Sequence, residues 1–344
     1  MFIKKFLFLF CLLGLIAFDL SAAKKTSENN EKLKEWLERF PAADKNKDGI
    51  LTIPEVLEYR KTLKGTKPKK SSSSAAKTTS GVDVPSDKAI KGYNGLFMGH
   101  SFFRPAAENL LKIIPDTNVV NHTELIVMSG GASGSPGRLW ENESKRKAGQ
   151  AYLDKGNVEF FAMTYFDKSN SGVEHYSKWF DYALQKNPNI TFMIALPWGA
   201  FLFKASQTEI DSAEQGYKKL FDELIVTLRK KYPNNKIIYC PYGLGVYELI
   251  NRLNAGNLPG IKHILNPKRS KTSNDQILRD PLGHGTELVT ILSSLIWMQT
   301  IYNYDISTIG KKYRAQGLPD IDLNEIAAKV YKKVQPYNSI YIKK

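Results

Sequence analysis

Leu96-Phe97-Met98-Gly99-His100-Ser101-Phe102-Phe103 is an apolar run that ends in a glycine, with a serine two residues later and a helix-like segment starting at once. A buried strand that delivers a serine to the start of a helix is how an α/β enzyme presents a nucleophile. Peptide N–H groups at such a helix start stabilise developing negative charge. The plainer alternative is a tight turn at Gly99 with Ser101 as a helix cap. The rest of the chain decides between them.

From Tyr93 onward, apolar runs alternate with helical segments. The pattern predicts strands over 95–98, 124–128, 158–163, 191–196 and 236–239. Helices are predicted over 105–114, 139–154, 173–185, 209–231, 242–254 and 286–302, the last of them amphipathic, with one more over 322–334 in the tail. The β runs are continuously apolar, which suits strands covered on both faces by helices. Regular βα alternation implies a three-layer α/β fold, a doubly wound parallel sheet with its site at the carboxyl ends of the strands. Ser101 falls at such an end, as do the loops after Met128, Met163, Leu196 and Cys240.

Two further stretches carry chemistry. Ser129-Gly130-Gly131-Ala132-Ser133-Gly134-Ser135-Pro136-Gly137 makes a loop whose backbone can approach a ligand closely. It lacks the Gly-Lys-Ser/Thr ending of a phosphate cradle. Asp280-Pro281-Leu282-Gly283-His284-Gly285 precedes the 286–302 helix, and of five histidines His284 alone sits in a glycine-flanked loop with a carboxylate close by. A serine nucleophile needs a base that works near neutral pH, and that base needs a carboxylate to hold its tautomer. Asp280 and His284 suit those roles, with turn and helix-capping duties as the alternative.

Together the three stretches resemble the SGNH/GDSL hydrolase superfamily, over about residues 93–303. Gly99-His100-Ser101-Phe102 is similar to its first block, with His100 where the family has an aspartate. Gly131-Ala132-Ser133-Gly134 is similar to the second, which makes Gly134 the implied backbone oxyanion donor. Asp280 to His284 resembles the last block with one residue more than the usual Asp-x-x-His. The family's third block, Gly-x-Asn-Asp, is absent; Met163-Thr164-Tyr165-Phe166-Asp167 stands there, leaving Thr164 and Asn170 as candidates for the side-chain oxyanion donor. The resemblance implies a flavodoxin-like fold and a serine esterase acting on O-acyl groups of a carbohydrate or cell-envelope polymer, with no cofactor for catalysis. A non-catalytic carbohydrate-binding protein using the same cleft is the rival reading, favoured by the missing block.

Nearer the N-terminus, Leu33, Trp36, Leu37 and Phe40 form the apolar stripe of a short helix. Asp44-Lys45-Asn46-Lys47-Asp48-Gly49-Ile50-Leu51-Thr52-Ile53-Pro54-Glu55 follows, and it resembles the EF-hand calcium loop. The resemblance implies oxygen ligands from Asp44, Asn46, Asp48, the Ile50 carbonyl, Thr52 and Glu55 around a calcium ion, with Gly49 at the sharp turn. Pro54, Val56, Leu57 and Tyr59 begin the expected exit helix. No second matching loop occurs, so the expectation is a structural clip within a small helical module over 28–63.

Lys4 and Lys5, then the apolar run to Phe18 and Ser21-Ala22-Ala23, read as an export signal over 1–23. The expected location is secreted or periplasmic, with no membrane span once the signal is removed. Residues 64–91, rich in Lys, Ser, Thr and Ala, read as a flexible basic linker, and 92–344 as the main domain. Hydrophobic residues make up 42% of the 344, enough for a large core. The formal charge of +15 in an exported chain favours anionic polysaccharide or envelope surfaces over nucleic acid, although part of it lies in the linker and a solvated surface is the plainer explanation. No nucleic-acid-binding motif accompanies it. Outside the signal only Cys240 remains, which excludes an internal disulfide and suits a core residue.

Overall fold

The computed structural model describes residues 26–28, 33, 34, 37, 38, 40–52, 55, 59, 89–268 and 274–341. The signal 1–23, Trp36, Ile53, Pro54, Val56, Leu57 and most of the linker lie outside the described residues. The chain divides into two compact units, 1–82 and 83–344.

The larger unit is an α/β fold. Its strands are β1 (Ile90–Lys91), β2 (Asn94–Gly99), β3 (Val119–Val120), β4 (Thr123–Met128), β5 (Phe160–Thr164), β6 (Thr191–Ala195) and β7 (Ile237–Cys240). Five of them form one sheet in the order β4-β2-β5-β6-β7, and every neighbour pair is parallel. β5, β6 and β7 are buried almost throughout, while the edge strand β4 is mostly half-exposed. That is why the central strands read as unbroken apolar runs. β1 pairs with β3 as a separate two-stranded ribbon, so the end of the expected linker, Ile90–Lys91, is a strand.

Helices α1 (Arg104–Ile113), α2 (Pro136–Glu141), α3 (Glu143–Leu153), α4 (Val173–Lys186), α5 (Gln207–Asp211), α6 (Ala213–Leu220), α7 (Val226–Lys231), α8 (Leu244–Asn254), α9 (Glu287–Tyr302) and α10 (Leu323–Val334) flank the sheet. α1, α8, α9 and α10 pack on one another, and α2, α3, α4 and α7 form a second group. Two expected helices are broken. The 139–154 segment stops at Asn142, whose side chain accepts from Lys145 N and starts α3. The 209–231 segment starts at Ser206, which forms a capping box with Glu209, breaks near Ser212, and passes through a π turn at Phe221–Ile225. The expected amphipathic helix before Tyr302 is instead buried on nearly every side, because α9 runs between other helices.

β2 is the first strand of the main sheet, with β4 on one side and β5 to β7 on the other. The chain therefore reverses its winding between β2 and β5, the position where doubly wound sheets open a crevice at their carboxyl ends. Ser101 follows β2 there. At the far side the exposed edge of β7 is closed by the tail. Asn338 accepts from Tyr239 N at 2.9 Å and donates to Tyr239 O at 2.8 Å, which denies that edge to another chain. Cys240 is buried in β7 with its thiol pushed up to about 12 by burial, so it is inert. Among the described residues no helix is long and apolar enough to cross a membrane.

In the smaller unit, Leu33, Lys34, Leu37 and Glu38 are helical before the loop, as are Glu55 and Tyr59 after it. Leu51 and Ala43 are buried under Leu33, Leu37, Phe40 and Tyr59.

Candidate active site

Ser101 lies in the turn between β2 and α1, and its Oγ is 2.7 Å from His284 Nε2. His284 Nδ1 lies 2.9 and 2.8 Å from the two oxygens of Asp280. A carboxylate only accepts, so Nδ1 carries the ring proton and Nε2 is left to accept from the Ser101 hydroxyl. The three residues, named from two separate stretches of sequence, thus form one continuous chain of hydrogen bonds.

The extra residue between Asp280 and His284 is absorbed by a small loop. Arg279 N donates to His284 O at 2.8 Å, and Leu278 bridges Gly285 antiparallel, so the chain doubles back and sets Asp280 beside His284. Gly283 adopts φ +93°, which lets the loop close at low cost. Asp280 Oδ1 also accepts from the backbone of Leu282 at 3.1 Å and of His284 at 3.2 Å. Burial raises the Asp280 pKa, but the bonds from His284, with the charges of His284 and Arg279, outweigh it and hold the carboxyl below its ordinary range. Asp280 therefore stays ionised wherever the imidazole can act as a base.

Aromatic residues clamp this loop. The Trp198 indole donates to Gly283 O at 2.7 Å. Phe102 stacks on Trp198 with ring centres 4.9 Å apart and sets its ring edge-on to His284 at 5.2 Å. Ser101, Phe102, Trp198, Arg279 and His284 line a small pocket at the serine. Trp198 also borders an adjoining open cleft with Tyr165, Phe166 and Tyr247.

Gly134 lies in a 3₁₀ turn after β4, buried against the serine loop. A Cβ on it would come within 2.6 Å of Gly99 O and of the His100 Cβ, so only glycine allows the two loops to meet. Neither candidate for the side-chain oxyanion donor is aimed at the serine. Thr164 is fully buried, with its hydroxyl near His100, Tyr165 O and Ala195 O. Asn170 turns its amide onto Asp167 and Ser169 within its own loop.

His100, which the sequence marked only as a departure from a family pattern, is a buried strut. Its Nδ1 accepts from Phe102 N at 3.2 Å, so its proton sits on Nε2 and is donated to Tyr165 O at 3.2 Å. The ring thus ties the serine turn to the end of β5. Burial, reinforced by the charge of His284 and opposed by the Tyr165 carbonyl, lowers its pKa to about 4. The unfolded chain takes up this proton below about 6.5, and the folded one only near 4. Stability from this group is therefore full above about 6.5 and is lost as pH falls towards 4, on the order of 3 kcal/mol. Urea unfolding of wild type and His100→Asn at pH 7 and pH 4.5 is expected to show wild type losing much more of its stability on acidification. A parallel decline in both would contradict this.

The residues of the Asp44–Glu55 loop bond to one another. Asp44 Oδ2 accepts from Gly49 N at 2.9 Å, Asn46 Oδ1 from Asp48 N at 3.1 Å, and Asp48 Oδ1 from Ile50 N at 2.8 Å. Lys47 and Gly49 take positive φ, which winds the loop into a tight cup. Glu55 Oε2 accepts from the backbone and hydroxyl of Thr52. Among the described residues no three His, Cys, Asp or Glu side chains form a ligand cluster. The loop's donor set, however, includes an amide, a hydroxyl and a carbonyl. Among the described residues Asp44 Oδ1 is buried without a hydrogen-bond partner, a costly position for a carboxylate oxygen unless a cation meets it. That orphaned oxygen and the all-oxygen donor set fit calcium.

No protein-family model matches the sequence, and no curated protein does. Among solved structures, a DUF4886 family protein from Bacteroides uniformis aligns with a TM-score of 0.47 at 14% identity, over 74% of this chain and 100% of its own. The periplasmic domain of a lipopolysaccharide acetyltransferase from Salmonella ser. Paratyphi A aligns with a TM-score of 0.31 at 12% identity, over 46% of this chain and 69% of its own.

Proposed function

We propose that the chain is an exported serine esterase of the SGNH hydrolase type, acting on O-acyl groups of a carbohydrate or envelope polymer. The observation that carries this reading is the chain Ser101 Oγ–His284 Nε2 at 2.7 Å and His284 Nδ1–Asp280 at 2.8 Å. Ser101 Oγ attacks the acyl carbon as His284 Nε2 takes its proton. The C–O bond to the sugar then breaks, and His284 returns the proton to the leaving alcohol oxygen. Water, deprotonated by His284, releases the acyl group and restores the serine. Asp280 stays ionised throughout, holding the imidazole in its productive tautomer and stabilising its charged form. The N–H groups of Ser101 and Gly134 are the proposed oxyanion donors. With no side-chain donor added, the enzyme is expected to be slow, since one such donor is worth about a hundred- to a thousandfold.

The carbohydrate preference rests on the family resemblance, the export signal and the basic charge. Wild-type protein assayed on acetylated sugars and on acetyl, butyryl and octanoyl p-nitrophenyl esters tests both parts. Turnover of the small esters supports the hydrolase. No turnover of any ester, together with retention on acetylated polysaccharide, would favour the carbohydrate-binding reading instead.

We propose calcium as the ion of the Asp44–Glu55 loop, held by Asp44, Asn46, Asp48, the Ile50 carbonyl, Thr52 and Glu55, and structural in role. Calorimetric titration is expected to give one calcium site per wild-type chain and none for Asp44→Ala. Equal binding by the two would refute the site.

A further inference from the structure

A lone calcium loop leaves the edge of its short extended stretch unpaired, and a buried backbone there needs partners. In this chain the partner is local. Thr26 bridges Thr52 antiparallel, Ser27 N donates to Leu51 O at 2.9 Å, and Leu51 N donates to Ser27 Oγ at 2.8 Å. Ser27 and Leu51 are both buried, so water does not compete for these bonds.

The Leu51 N–H and the Ile50 C=O belong to the same peptide unit. That unit is planar and trans, so its N–H and C=O point in opposite directions. A hydroxyl that fixes the Leu51 N–H on one side therefore fixes the direction of the Ile50 carbonyl on the other. Ile50 N is itself held by Asp48 Oδ1 at 2.8 Å, so the peptide on either side of Ile50 is anchored.

We infer that Thr26-Ser27 is a built-in partner strand for the calcium loop, and that Ser27 is a positioning residue which aims the Ile50 carbonyl at the ion. The inference rests on the calcium reading of the loop and adds to it a residue outside the loop motif. It makes the single loop self-sufficient, with no second loop needed to complete it.

The test is calorimetric calcium titration of the full chain, with amide hydrogen exchange at Leu51 measured on the same samples. Wild type is expected to bind calcium with a protected Leu51 amide. Ser27→Ala removes the acceptor and strands a buried N–H, so its affinity is expected to fall by about tenfold or more, with faster exchange at Leu51. Ser27→Thr keeps the hydroxyl and should recover both to within about threefold, because the acceptor that carries the effect is retained. Calcium binding by Ser27→Ala as tight as wild type would overturn the inference while leaving the calcium site standing. An unprotected Leu51 amide in wild type would overturn the pairing itself. No calcium binding by wild type would refute the site, and the aiming role with it, even with Leu51 protected.

Discussion

Ser101→Ala is expected to lower kcat on acetyl esters by about 10⁵-fold or more, with KM changed little, because residues of such a triad act as a unit. The hydroxyl follows β2 at the carboxyl end of the sheet and is bonded to a base, 2.7 Å from His284 Nε2. Alanine removes 1 oxygen and leaves the turn's supports in place. His100 still ties Phe102 N to Tyr165 O, and Phe102 still stacks on Trp198. His284→Ala is expected to fall as far, and the double variant no further than either single one. Initial rates with the small esters measure all three. A fall of less than about tenfold in Ser101→Ala would be incompatible with a nucleophile there, since loss of a triad member costs several orders of magnitude.

Asp280→Asn is expected to cost about 10³- to 10⁴-fold in kcat with the fold intact, through the wrong tautomer of His284. Asp280 Oδ1 accepts from the backbone of Leu282 and His284, so the asparagine oxygen settles there. The amide nitrogen then takes the place of Oδ2, 2.8 Å from His284 Nδ1, and donates to it. The imidazole must carry its proton on Nε2 and points it at Ser101, where no base remains. The site keeps its shape and loses its chemistry. Because Asp280 is held below the ordinary carboxylate range, its protonation should add no acid limb of its own to the wild-type rate profile within that range. A second acid limb from a carboxylate, or an Asp280→Asn enzyme within tenfold of wild type, would contradict this account.

The sheet was readable, and Ser101, Asp280 and His284 could be picked out as candidates, because each has a local signature. β5 to β7 are buried on both faces and so are continuously apolar. Gly99 ends β2 just before Ser101, the loop after β4 is rich in glycine and serine, and Asp280 and His284 share one short loop. What could not be read depends on contacts made across the chain. The Trp198 indole that clamps Gly283 looks in sequence like any aromatic in an apolar run. Ser27 carries no mark of its bond to Leu51. His100 has a role only because the end of β5 lies beside the end of β2, which brings the Tyr165 carbonyl to its ring. The helix break at Asn142 and the earlier helix start at Ser206 were missed, because side-chain capping sets both. Thr164 and Asn170 had the right chemistry in the right segment, but one faces the core and the other bonds within its own loop.

The most direct test of the central claim is labelling of folded, calcium-loaded protein with a fluorophosphonate, read out by peptide mass spectrometry. The account predicts one adduct, on Ser101, strongly slowed in Asp280→Asn and absent from Ser101→Ala. No adduct on Ser101 in the wild type, or equal labelling of Ser101→Ala, would contradict it.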